Sequence, residues 1–171
     1  AESAVLVFDY RGYGRSEGRP HEAGILADAR AARVWLAQKT GVAETEIVLV
    51  GRSLGTGVMT HLAAHDGAKA LILHSPYTSL PDVAAVHYPW MPTRWVMRTR
   101  LDSQSTINRY HGPTFILHGD ADALIPPALG RQLFQAAHEP KQFVTLRGCR
   151  HNDPIDSAGG AALGQFFRAL P

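Results

Sequence analysis

Cysteine occurs once in these 171 residues, at Cys149, so no internal disulfide can form and no C-x-x-C pair offers a structural zinc site. No metal and no cofactor is expected. An excess of one charge is also missing. Seventeen Lys+Arg stand against fifteen Asp+Glu, a formal net charge of +2, and the basic residues are scattered rather than gathered into the stripe that a phosphate backbone requires. Nucleic acid is not an expected partner. The longest apolar runs fall well short of the roughly 20 residues that cross a bilayer. A starting Met, a signal peptide and a polar lead-in are absent as well: the sequence opens at Ala1 and reaches Val5-Leu6-Val7-Phe8 almost at once, and it reads as a piece of something longer. Any targeting or membrane-anchoring segment would then lie upstream, and a cytoplasmic location is the default expectation. What is present is ordinary globular composition, 45% hydrophobic and 19% charged, enough for one domain over 1–171 with a real core.

Apolar runs alternate with amphipathic stretches. Strands are expected at about Ala4–Asp9, Ile47–Val50, Ala70–Leu73, Thr114–Leu117 and Gln142–Leu146. Helices are expected at about His21–Lys39, Leu54–Ala64 and Pro127–Ala137, with a last one through Ala161–Ala169. Parallel strands need crossovers of a dozen or more residues, so this spacing predicts an α/β class: a mostly parallel sheet with helices on both faces.

The chemistry concentrates in loops that follow strands. Gly51-Arg52-Ser53-Leu54-Gly55 is G-x-S-x-G, entered by an apolar strand and left by an apolar helix, which would put Ser53 on a strained turn with its hydroxyl above the sheet. The Leu54 NH, at the helix N-terminus, would face charge developing on a carbonyl oxygen. The plainer reading is a Gly-rich turn with Ser53 as helix N-cap. A serine hydroxyl needs a base, and the base a carboxylate to orient it. Both are available downstream, in His118-Gly119-Asp120-Ala121-Asp122 and Gly148-Cys149-Arg150-His151. These loops leave the carboxyl ends of their strands, the sheet edge where sites form.

The blocks Asp9–Gly18 (D-Y-R-G-Y-G-x-S-x-G), Gly51–Gly55 (G-R-S-L-G), His74–Ser79 (H-S-P-x-T-S), His118–Pro126 (H-G-x-x-D-x-x-I-P) and Gly148–Asp153 (G-x-x-H-N-D) resemble the α/β-hydrolase family, in its Bem46-like and ABHD-type serine hydrolase branch. They extend in order over nearly the whole chain. The resemblance implies Ser53 as nucleophile, Asp122 as orienting acid, His151 as base and the Leu54 NH as oxyanion donor. It implies a small-molecule acyl ester or thioester as substrate. Asp120, two residues from Asp122, is the rival acid. Asp153, followed by Pro154, reads as a helix N-cap. His118 and His74 read as structural, Cys149 as a spectator, Arg52 as bonding to loop carbonyls, and Asp9, Arg11, Gly12 and Gly14 as wall-shaping.

The stretch around 80–109 is a small cap-like insertion by the same resemblance. Its Tyr88-Pro89-Trp90-Met91 and Arg94-Trp95-Val96-Met97-Arg98 suit an acyl chain and anionic lipid headgroups, while ordinary packing on the sheet explains the same residues. In the family, three strands and an H-G-N or H-G-G loop supplying a second oxyanion donor precede what stands here as the first strand, and these are not in this chain. The family's third strand lies between that strand and the one leading to Ser53, so the two either close up or leave a gap with exposed edges that invite aggregation or dimerisation. Three functions remain in play: an ester, thioester or peptide hydrolase acting through an acyl-enzyme; a catalytically impaired binding or scaffold protein on the same fold; and a haloperoxidase or lyase using the same residues.

Overall fold

The computed structural model describes residues 4–171. The first regular element is helix α1 (Glu22–Thr40), capped by the His21 ring and closed by Gly41 in the left-handed region. A single 3-10 turn at Glu44–Glu46 leads into β1 (Val48–Arg52), α2 (Leu54–Asp66) and β2 (Ala70–His74). Three short helices follow, α3 (Leu80–His87), α4 (Thr93–Val96) and α5 (Ser103–Ile107). The chain ends with β3 (Thr114–Gly119), α6 (Pro127–Ala136), β4 (Lys141–Leu146) and α7 (Ser157–Ala169).

The strands form one parallel sheet in the order β1-β2-β3-β4. β2 and β3 are buried along their whole length, as their unbroken apolar runs require of strands covered on both faces. On one face Leu71, Leu73 and Ile116 meet Val58 and Leu62 of α2, Ile107 of α5 and Leu133 of α6, with Ile25 and Ala29 of α1 in the same cluster. On the other face Ile72, Phe115, Leu117 and Leu146 pack against Ala162, Leu163 and Phe166 of α7. Removing one of these fully buried Leu or Ile side chains is expected to cost about 2–5 kcal/mol.

Two expectations are corrected. The run 4–9 forms no strand: it carries no ladder, and Val5 and Val7 are 83% and 88% exposed. An apolar run becomes a strand only beside a hydrogen-bonding neighbour, and this segment does not close up against β1. Phe8 and Tyr10 pack on the core, edge to face with centroids 5.2 Å apart. The second correction is Asp153, which does not cap α7. Asp156 does, its Oδ1 accepting from the Gly159 NH at 2.6 Å. Asp153 instead accepts from the Arg150 NH at 2.8 Å, so the backbone stays in the turn for another three residues before the helix starts.

The Arg11–Gly18 loop is tied to α1 by Arg11, whose guanidinium donates to both carboxylate oxygens of Asp28 while its NH donates to Oδ2 at 2.8 Å. Gly12 and Gly14 turn the loop at φ 75 and 53, values a side chain would strain.

Candidate active site

Ser53 joins β1 to α2 at φ 49, ψ −120, a conformation that L-residues adopt only under constraint. The constraint is visible on both sides. Its NH donates to the His74 carbonyl of β2 at 3.0 Å, and its carbonyl accepts from the NH and hydroxyl of Thr56 at 2.9 and 2.6 Å. A Cβ at Gly51 would come within 2.5 Å of the Gly55 carbonyl oxygen, so only glycine lets strand and helix approach this closely. The Ser53 side chain makes no capping bond to α2, which sets aside the N-cap reading and leaves the hydroxyl free for other partners. Leu54 is the first residue of α2, where a backbone NH has no intrahelical acceptor.

The loops after β3 and β4 meet this turn. His151 Nε2 lies 2.9 Å from Ser53 Oγ, across 98 residues of sequence, and His151 Nδ1 lies 2.7 Å from Asp122 Oδ2. An ionised carboxylate can only accept, so the proton sits on Nδ1 and Nε2 presents a lone pair to the hydroxyl. Asp122 is buried. Burial alone would raise its pKa, but the Ile125 NH donating to Oδ1 at 2.8 Å and the His151 contact outweigh that and hold it below the ordinary value. The Leu124 NH adds a bond to Oδ1 at 3.0 Å.

Other residues fix these loops. Asp120, the rival acid, points away: its Oδ1 accepts from the Gly148 NH at 2.6 Å and clamps the base of the His151 loop. Arg52 Nη2 donates to the His151 carbonyl at 3.0 Å, the loop-carbonyl role expected of it. His118 is fully buried behind Asp122, with Nε2 2.8 Å from the Ile125 carbonyl and 3.5 Å from Asp122 Oδ2. Both those atoms are acceptors, so Nε2 carries the proton. Nδ1 has no partner and lies against Gly130, where a Cβ would clash with it. Burial pushes the His118 pKa down and that of His74 to about 4, with Arg52 and the other two histidines adding to the second. Both rings are therefore neutral packing groups near pH 7. The Cys149 thiol is pushed up by desolvation and by Asp156, Asp153 and Asp120, which makes it a poor thiolate.

Sequence reasoning passed over Ser75 and Tyr77, although both lie in the His74–Ser79 block. Ser75 is buried at φ 53, its NH held by the Leu117 carbonyl, and its side chain helps to keep Asp122 ionised. Tyr77, fully buried, donates its hydroxyl to the Leu54 carbonyl at 3.2 Å. Among the described residues no group of three His, Cys, Asp or Glu side chains could hold a metal ion; His61 and His65, four apart on α2, stack their rings 4.1 Å apart. An open hollow of about 700 Å³ lies elsewhere, between the Arg11–Gly18 loop and α1, lined by Phe8, Arg11, Asp28 and their neighbours.

Comparison with known proteins fits this geometry. A family model described as alpha/beta hydrolase fold matches residues 2–106. The chain is 45% identical over 167 residues to the protein Rv2307c of Mycobacterium tuberculosis, covering 98% of this chain and 59% of that one. It is 34% identical over 157 residues to the lysophosphatidylserine lipase ABHD12 of Danio rerio, covering 81% and 41%. It thus spans about three-fifths of the first relative's length and less of the second's. The Pyrococcus furiosus esterase PF2001 superposes with a TM-score of 0.77 at 18% identity over 97% of this chain and 70% of that one, a likeness of fold. On its matched family model and its ABHD-type relatives, this chain belongs to the α/β-hydrolase family.

Proposed function

We propose that this chain is a serine hydrolase that cleaves a carboxylic ester or thioester through an acyl-enzyme. The observation that carries the proposal is the single imidazole of His151, 2.9 Å from an alcohol on one side and 2.7 Å from a carboxylate on the other. Ser53 Oγ attacks the acyl carbonyl carbon as its proton passes to His151 Nε2. Asp122 stabilises the imidazolium, and the Leu54 NH donates to the oxyanion. The intermediate collapses, the C–O or C–S bond breaks, and His151 returns the proton to the departing alcohol or thiol. Water, deprotonated by the same nitrogen, then attacks the acyl-Ser53 carbonyl; the bond from that carbon to Oγ breaks, His151 returns the proton to Oγ, and the acid is released. The lipase and esterase names of its relatives agree with an acyl substrate, and a peptide bond is the alternative on the same machinery.

The alternative on the same residues is a catalytically impaired binding or scaffold protein. A fluorophosphonate probe separates the two. Covalent labelling of the chain that disappears in Ser53→Ala supports the hydrolase; an unlabelled, folded wild type, in this chain and in a longer form carrying the oxyanion loop, sinks it.

A further inference from the structure

Between β2 and β3, residues 86–96 turn both of their tryptophans outward. Trp90 and Trp95 are 77% and 91% exposed, and Val86, Tyr88, Val96 and Leu124 are exposed beside them. These residues are not what holds the segment in place. α4 is anchored by polar bonds, from the buried Thr93 hydroxyl to the Pro81 carbonyl at 2.9 Å and from the Arg94 guanidinium to Asp82 at 2.6 Å. Tyr88 and Trp90 touch each other edge to face, centroids 6.4 Å apart. The face is continuous with the rim of the site. His87 Nε2 lies 2.8 Å from the Leu124 carbonyl, in the turn whose backbone holds Asp122.

Residues 86–100 carry three arginines and no acidic residue, with the carboxylates of Asp82, Glu22 and Asp102 at their border. Arg98 makes no ion pair among the described residues, and Arg94, though paired with Asp82, keeps 73% of its side chain exposed. Arg100 directs its guanidinium to the Arg94 carbonyl rather than to a carboxylate. Indole and phenol rings favour the headgroup level of a bilayer, and arginines beside them favour anionic headgroups. No helix among the described residues is long and apolar enough to cross a membrane, so such contact would lie in the interface plane.

We propose that the aromatic and arginine face of residues 86–100, with Leu124, docks on an anionic lipid bilayer. It deepens the reading of the site as one for acyl esters, because it would bring the site's rim to esters that reside in membranes. Its test does not use catalysis.

The 171-residue chain is sedimented with phosphatidylcholine vesicles with and without phosphatidylglycerol. Binding to the anionic vesicles is expected, weakening with salt. Arg98→Gln should bind about fivefold more weakly, and Trp90→Ala/Trp95→Ala should not bind above background. Both indoles are outside the core, so the double variant should keep the wild-type melting temperature; a melting temperature that falls moves the test to Trp95→Ala alone. No binding by wild type, equal binding by the tryptophan variant, or equal binding to neutral vesicles with no effect of Arg98→Gln each overturns the proposal. So does a concentration-dependent dimer that the tryptophan variant abolishes in the absence of vesicle binding, since a second copy would then be the occupant. Ser53→Ala should bind vesicles like wild type. Vesicle binding without probe labelling of either this chain or the longer form overturns the hydrolase reading alone, and labelling without vesicle binding overturns this one alone.

Discussion

Two carboxylates two residues apart do different work because their backbones aim them differently. Asp122 is turned inward by the NH groups of Leu124 and Ile125 and meets His151 Nδ1; Asp120 is turned toward the Gly148 NH on the loop's other flank. On the proposed mechanism Asp122→Asn leaves an amide in place of the acceptor, favours the wrong imidazole tautomer and lowers turnover of a p-nitrophenyl ester by about 10⁴-fold. Asp120→Asn keeps an oxygen able to accept from the Gly148 NH and should retain most of that turnover. Equal losses in the two variants, read against the Ser53→Ala background, would remove Asp122 from the acid role. Ser53 and His151 were legible because each sits in a loop straight after an apolar strand. Arg52 was read as bonding to a loop carbonyl, as it does at His151, but which carbonyl was not legible, nor was the place of Ser75, since each depends on an atom of a distant loop that only the folded chain brings near.

At the scale of elements, α6 lies on β3 through one close approach, Gly130 against the His118 ring. A methyl group there would have to displace a fully buried imidazole whose other edge faces the Asp122 turn. Gly130→Ala is therefore expected to lower stability by about 1–3 kcal/mol in urea unfolding and, on the proposed function, to slow probe labelling of Ser53 as well. Unchanged unfolding would show that α6 shifts freely. The four longer helices α1, α2, α6 and α7 and the four strands of the sheet were read from the sequence to within a few residues, because their apolar patterning is local; α3, α4 and α5 fall in the stretch 76–109 that was read as irregular, where short helices carry no such pattern. Two readings failed where the deciding partner is not local. The Val5–Phe8 run has the composition of a buried strand without a neighbour to pair with. Asp153-Pro154 has the letters of a helix start, yet the Arg150 NH claims its carboxylate and Asp156 takes the cap.

For the whole molecule, the buried histidines set how stability responds to acid. His74 is held at about 4 against its ordinary 6.5, by burial first and then by Arg52 and the neighbouring rings. Between those two values the unfolded chain binds a proton that the folded chain refuses, so stability falls as pH drops through this window, by up to about 1.4 kcal/mol per unit. Asp122, held below its ordinary value, withdraws its own contribution only at still lower pH. Urea midpoints at pH 7 and pH 5 should therefore differ less for His74→Asn than for wild type, and an undiminished difference would place the acid sensitivity elsewhere. The sheet itself is lopsided: β1 is laddered to β2 along one side and to nothing among the described residues along the other. Ser53 nonetheless hangs its amide on the His74 carbonyl, at the end of a strand buried throughout. The aim of that alcohol is thus not the work of β1 alone: one neighbour grips the serine by its amide and the helix behind grips it by its carbonyl, a two-handed hold that keeps the hydroxyl turned to the imidazole.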